Sequence, residues 1–364
     1  MNLKNLKMVL LIAVVAGLNV LIVIYPSLAL DAARFGLLLW FNNVLPGILP
    51  FVVGANVLMA LGVVKFLGIF LSPIMGLLFR LPGAAGFALA MGGLSGYPIG
   101  AKIVCEMRER GELNKNDAQR LLGFANNAGP LFILGAVAVG MFGSPALGYL
   151  LLLGHYVGAL SLGFLLRFFA GAGKAGYQAA PPIMTIKKQP LGQILGQAVK
   201  GAMETMLIVG GFIVLFSVIS ALLSQLVTGN YQLAIGINAG LEMTGGLGLL
   251  SEQGITRAVA AVAAGILGFG GLSIIFQALS FIGKTDLSPS LYILCKMAHG
   301  GLAAAATFLL YPLFATAIEN AATPAFAPSA TRTLISSTAN FGLALAALLI
   351  ICLIAFVFRA LSKK

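Results

Sequence analysis

Apolar residues run through this chain in long stretches separated by short polar ones, and the lengths of the stretches predict its elements. Residues 8–24, MVLLIAVVAGLNVLIVI, hold 17 positions without a charge behind Lys4 and Lys7. A secretory signal has a core of roughly 7–15 residues, so this segment reads as a retained first span rather than one cleaved after Ser27-Leu28-Ala29. An amphipathic stretch, DAARFGLLLWFNN, leads into a second span near 44–64. KFLGIFLSPIMGLLFR, bracketed by Lys65 and Arg80, is too short to cross and predicts a helix lying at the interface. A helix needs about twenty apolar residues to cross the hydrocarbon core. The alternating pattern of a membrane β-barrel is absent.

Two stretches are apolar yet cannot be plain helices. Residues 83–104, GAAGFALAMGGLSGYPIGAKIV, carry GGLSGYP at their centre, where glycine and proline break a helix. Two short arms meeting at such a tip make a re-entrant hairpin, tolerated at membrane depth where it is buried in protein. Residues 117–142 predict a span interrupted at FANNAGPLF. Pro130 cannot bond the Asn126 carbonyl and its ring clashes with that turn, so the helix is expected to open between Asn126 and Pro130, freeing carbonyls beside two carboxamides. Between the two stretches lies CEMRERGELNKNDAQR, which must be aqueous.

A further span is expected at 146–169, then a basic Pro- and Gly-containing cytoplasmic linker at 171–190. The second half offers a span near 200–226, a modest segment 231–250, a glycine-centred stretch at 255–283, a span interrupted at KMAHGG (289–316), and a last span at 334–358. Gly92-Gly93-Leu94-Ser95 recurs as Gly270-Gly271-Leu272-Ser273, which predicts a second hairpin at 255–283 and pairs the 117–142 and 289–316 segments as broken helices. The reading is an all-α polytopic membrane protein. It has an N-terminal helix and interface segment (1–36) and two inverted repeats, 37–170 and 191–364. Each repeat holds a span, an interface helix, a re-entrant hairpin, a broken span and a span. Three crossings per repeat invert the second copy, as in many secondary transporters.

Composition agrees: 60% of residues are hydrophobic, 9% are charged, and mean hydropathy is +1.03. A net charge of +12 would suit nucleic acid, but the basic residues lie in loops between spans, where the positive-inside rule puts them. No nucleic-acid partner is expected. With the N-terminus inside, the basic residues from Lys4 to Lys200, Arg34 apart, fall on the cytoplasmic side, while Arg359, Lys363 and Lys364 fall outside, against the rule. Three scattered cysteines (Cys105, Cys295, Cys352) and two histidines (His155, His299) show no metal-ligand spacing, so neither metal nor cofactor is expected.

The candidate chemistry lies in polar residues at membrane depth. Asn126 and Asn127 sit where the span opens. Ser95 and Ser273 stand where an N-cap would begin the second hairpin arms, whose positive ends suit an anion. Lys296 and His299 are three apart on one helix face and would bind a carboxylate or shuttle a proton. The plainer alternative has Lys296 snorkelling to the interface and His299 bonding a neighbouring helix. Glu204 and Glu242 would pair with Lys296 or couple Na+ or H+.

GGLSGYPIGAK, a charged turn and RLLGFANNAGPLFILGAVAVGMFG together resemble the YlbJ-type sporulation integral membrane proteins of the nucleoside-recognition (Gate) superfamily, most specifically over residues 92–143. The plan is also similar to that of concentrative nucleoside transporters. The resemblance implies that hairpin tips and broken spans form a substrate site from Gly93, Ser95, Gly96, Tyr97, Asn126, Asn127, Gly271, Ser273, Lys296 and His299. It implies transport of dipicolinate, a small aromatic dicarboxylate, in the mother-cell-derived membrane around a forespore.

Nucleoside transporters place carboxylates beside the ribose, whereas the matching stretches here hold Asn126, Asn127 and His299. A nucleoside or nucleobase transporter is the first alternative, and a non-transporting membrane scaffold the second. An intramembrane serine protease, from Gly93-Leu94-Ser95-Gly96 with His299 as base, is the least favoured, so the chain is expected not to be an enzyme. The expected partners are a small anion, the lipid bilayer and, in a homo-oligomer, further copies of the chain.

Overall fold

The apolar runs fold as helices in a computed structural model that describes residues 3–61, 63–169, 190–225 and 230–320. Among the described residues there is no strand. The linker expected at 171–190 (except Pro190), the last span at 334–358 and the C-terminal basic residues lie outside them.

Helix α1 (Leu3–Ile24) gives way to α2 (Pro26–Leu39) across a bend of 104°. Pro26 is at the first position of α2, where its missing N–H costs nothing, and Tyr25 before it is non-helical. α3 (Leu45–Ala60), at 16 residues shorter than a full crossing, lies at the position of the expected second span, and α4 (Val63–Ile74) at that of the expected interface helix. The first hairpin is present as α5 (Ala85–Ser95) and α6 (Ile99–Glu109), joined by Gly96-Tyr97-Pro98 with Gly96 at φ 83. Gly92 and Gly100 lie so close to the Ala125 carbonyl that a methyl on either would overlap it. α7 (Lys115–Ala125) stops at Asn126. Residues 126–129 are non-helical, and a π-helical segment (Phe132–Met141) resumes the run. α8 (Pro145–Leu166) follows.

In the second half α9 (Leu191–Gln225) packs on α2 and α3. The chain then differs from expectation in three places. The segment 231–250 forms two helices, α10 (Tyr231–Leu241) and α11 (Met243–Ser251), folded back on each other with Gly246 against Ala239. The reversal is made by Glu242, whose N–H donates to the Asn238 carbonyl (2.7 Å) while its carboxylate accepts from the N–H groups of Thr244 (3.0 Å) and Gly245 (2.8 Å), capping the new helix. The hairpin of this half is therefore α10–α11.

At 255–283 no hairpin forms. α12 (Arg257–Phe269) and α13 (Gly271–Ile282) make one 26-residue apolar span, broken at Gly270 and Gly271 (φ 86 and 75) without turning back. Nor is there a break at KMAHGG. α14 (Pro289–Asn320) is continuous there, because Gly300 and Gly301 keep their N–H groups and the nearest interior proline is Pro312.

Among the described residues, four helical runs are long and apolar enough to cross a membrane: Pro145–Phe169, Leu191–Gln225, Arg257–Ile282 and Pro289–Asn320. The α1–α2 pair makes five if counted as one span.

At one end, the α6–α7 and α13–α14 turns are tied together. Arg108 donates two 2.9 Å bonds to Asp286, and Gln119 exchanges bonds of 3.2 and 2.6 Å with the backbone of Ser288. Bonded to Arg108, the Asp286 carboxyl is held below its ordinary range. The tie therefore stabilises the protein at neutral pH and is lost as pH falls through that lowered value. At the other end, Tyr231 bonds Glu252 (2.7 Å), and Arg257 donates to the Phe308 carbonyl (2.8 Å).

Candidate functional site

The opening after α7 exposes backbone groups in a dry interior, and each has to find a partner. Asn126 supplies several. Its side-chain oxygen accepts from the Ala101 N–H (3.3 Å), one of the unpaired donors in the first turn of α6. Its amide donates to the Tyr292 hydroxyl (2.7 Å), and its backbone carbonyl accepts from Lys296 Nζ (3.0 Å). One residue thus links the hairpin, the break and α14. Asn126→Ala would orphan the Ala101 N–H and the Tyr292 hydroxyl, and about 1–3 kcal/mol per buried group should appear as a lower unfolding midpoint in detergent.

Lys296 is fully buried in α14. Its ammonium meets the Asn126 carbonyl, His299 Nδ1 (3.3 Å) and the Tyr97 hydroxyl (3.5 Å), and lies 4.8 Å from the centre of the Tyr97 ring. The Tyr97 hydroxyl in turn donates to the Leu267 carbonyl of α12. Among the described residues Lys296 pairs with no carboxylate. His299, also buried, has both ring nitrogens engaged: Nδ1 with Lys296, Nε2 with the backbone carbonyl of His155 (3.0 Å). The Lys296 side-chain nitrogen is held by carbonyl, hydroxyl and imidazole groups alone.

The hairpin tip closes over the break. Gly96 packs on Gly129, and the Tyr156 hydroxyl bridges the carbonyls of Gly93 (2.6 Å) and Ala128 (3.1 Å). Asn127 donates to the Phe124 carbonyl (2.9 Å), but its oxygen is buried with no hydrogen-bond partner, as is the Ser95 hydroxyl. Neither His299 nitrogen bonds Ser95, so no serine–histidine pair is formed.

The remaining sequence candidates lie elsewhere. Gly271 packs against the Glu242 turn of the second hairpin, and Ser273 sits one turn from Gln277, whose amide it accepts (3.3 Å). Glu242 is the cap of α11, not a partner of Lys296. Glu204 is on the exposed side of α9, apart from the cluster. Snorkelling of Lys296 does not occur, since its ammonium is held at the break.

Three cluster members escape the sequence reading: His155, Tyr156 and Tyr292. For His155 a signal exists. Ser144-Pro145-x-Leu147 precedes His155 by 11 residues, and Ser288-Pro289-x-Leu291 precedes His299 by the same 11. Both serines cap their helices alike, Ser144 Oγ accepting from the Leu147 N–H (3.3 Å) and Ser288 Oγ from the Leu291 N–H (3.4 Å). The helices they begin, α8 and α14, are packed together, with Gly158 against Ala303 and the two histidine rings 4.6 Å apart.

Comparison with known proteins gives the family of the chain. Residues 41–160 match the Gate family model, described as nucleoside recognition. The chain is 34% identical over 351 residues to the sporulation integral membrane protein YlbJ of Bacillus subtilis (strain 168), covering 86% of this chain and 85% of that protein. No solved structure matches.

Proposed function

We propose, starting from the fact that this chain belongs to the YlbJ-type sporulation integral membrane proteins, that it is a secondary transporter of a small anionic solute, and in a spore-forming cell of dipicolinate. Its place is then the mother-cell-derived membrane around the forespore. The observation that carries this reading is Lys296, a buried lysine at a broken span with no carboxylate beside it among the described residues. Leaving such a charge unpaired costs several kcal/mol. Ionisable residues kept at that cost inside spans mark substrate or ion pathways.

The transporter reading includes two inverted repeats in a revised register. The α5–α6 hairpin corresponds to α10–α11, the broken run after α7 to α12–α13, and α8 to α14. Three features support this register. Each hairpin tip meets the break of the following span, Gly96 at Gly129 and the Glu242 turn at Gly271. The Ser-Pro-x-Leu…His pattern starts α8 and α14. The first hairpin opens toward the end where Arg108 meets Asp286, and the second toward the end where Tyr231 meets Glu252. Helix breaks at mid-membrane then face one another across the pair His155–His299, as in alternating-access carriers.

Reconstituted protein should accumulate or exchange labelled dipicolinate in a saturable way, competed by unlabelled dipicolinate and not by nucleosides. Saturable nucleoside flux instead would establish the alternative substrate class. Absence of flux for both would contradict the transporter reading.

A further inference from the structure

Five described helices begin with a neutral side-chain cap: Asn114 on α7, Ser144 on α8, Asn230 on α10, Thr256 on α12 and Ser288 on α14. α11 alone among the described helices is capped by an ionisable side chain, that of Glu242, which is buried. Ser144 is buried too and caps its helix without a charge, so capping does not by itself account for a carboxylate at this depth. Both Glu242 oxygens accept from backbone N–H groups, and among the described residues no cation pairs with it. The elements packed against the reversal supply none. α10, α11, α13 and the Phe132–Met141 segment contain no charged residue, and Tyr231 of α10 is engaged with Glu252. The one charged residue of α12, Arg257, donates to the Phe308 carbonyl (2.8 Å). α9 presents Ser220 and Ser224, hydrogen-bonded to Asn238 (2.6 and 2.7 Å), and its Glu204 lies about 24 Å back along the helix from Ser220.

We propose that Glu242 is the proton-binding residue that couples transport to a proton gradient, one proton moving with each anion. This rests on the transporter reading above and adds to it what drives the flux. Glu242 takes a proton from water on one side of the membrane, forming an O–H bond at one carboxylate oxygen, and returns it to water on the other. The two states bond differently. As the ion, Glu242 accepts from Thr244 and Gly245 together. Once protonated, one oxygen becomes a donor and its bond to the backbone N–H weakens. Asn238 Oδ1, on the same side of Gly245 as Glu242 Oε2, offers an acceptor for the new O–H. The turn loosened in this way is the one packed on the second break: the Leu241 carbonyl oxygen and the Met243 nitrogen each lie 3.2 Å from where a methyl on Gly271 would stand. Proton occupancy is therefore felt at the interruption of the α12–α13 span. A hard metal cation would need several further oxygen ligands, and no cluster of three or more His, Cys, Asp or Glu occurs among the described residues.

The test uses the full-length protein in proteoliposomes, with the membrane potential clamped at zero and protein-free vesicles as the baseline. For one proton per anion, a gradient of about one pH unit, acid outside, should concentrate labelled dipicolinate about tenfold inside. Adding dipicolinate should also make a weakly buffered external medium more alkaline. In Glu242→Gln, which holds the neutral state, the accumulation ratio should fall to near one while exchange of labelled for unlabelled dipicolinate persists. Glu242→Ser, which installs the kind of cap that begins α8, should behave the same way, and it decides should the Gln variant fail to fold. Saturable exchange by wild type without a response to the pH gradient would overturn proton coupling and leave the transporter reading standing. So would accumulation that follows a Na+ gradient instead, or an unchanged ratio in either folded variant. Absence of both exchange and accumulation in wild type would overturn both readings.

Discussion

Lys296→Met is expected to reduce dipicolinate flux by about one to several orders of magnitude while leaving the folded protein close to wild-type stability. The two halves of that expectation have separate causes. A buried charge contacting a ligand carboxylate is worth about 2–5 kcal/mol when truncated, and at 1.4 kcal/mol per decade the loss spans one to several orders of magnitude. In the unloaded protein the same charge is a burden. Removing it relieves several kcal/mol of desolvation and orphans two acceptors, the Asn126 carbonyl and His299 Nδ1, at about 1–3 kcal/mol each. These terms nearly cancel, and methionine fills the volume. Flux in proteoliposomes and the unfolding midpoint in detergent check the two halves. A lysine kept for folding would lose both together, which would assign Lys296 a structural role.

Gly100→Ala is expected to prevent accumulation of folded protein, and Gly92→Ala to behave the same way. Either methyl would overlap the Ala125 carbonyl, and Ala125 is the last residue of α7 before the break. Overpacking costs typically about 1–3 kcal/mol when flexible side chains yield. Here backbone meets backbone, so the hairpin must move away from the break and the Asn126 bonds must go with it. The expected cost exceeds about 3 kcal/mol, visible as loss of monodisperse protein in size-exclusion chromatography. Gly211→Ala is the control. A methyl there in α9 meets nothing within 4 Å, so the substitution should be neutral or stabilise by about 0.5–1 kcal/mol through helix propensity.

How far the fold could be read from sequence depended on whether the deciding chemistry was local. The opening at Asn126 was legible because Pro130 removes a specific hydrogen bond four residues back, and the first hairpin because Pro98 follows Gly96. The shared Gly-Gly-Leu-Ser misled. In the first copy Tyr97 and Pro98 soon follow and force a reversal, while in the second Ile274 and Ile275 follow and the helix resumes. The second reversal came from Glu242, whose carboxylate in an apolar run caps the helix that follows, a role its sequence surroundings did not suggest.

Lys296 and His299 were found from their spacing, but what surrounds them was not. Asn126, Tyr97 and His155 are more than a hundred residues away in sequence, and no local pattern states that contact. The repeated Ser-Pro-x-Leu…His was legible in principle and would have paired α8 with α14 and His155 with His299.

The central claim is that an anion binds against Lys296 at the break in the span after α7. Its most direct measurement is an electron cryomicroscopy structure of the protein saturated with dipicolinate. The account predicts ligand density between Lys296 and the Asn126–Gly129 opening, with a carboxylate oxygen within hydrogen-bonding distance of Lys296 Nζ. Density elsewhere in the protein, with Lys296 still bonded to Asn126, Tyr97 and His299 as in the unloaded state, would contradict it.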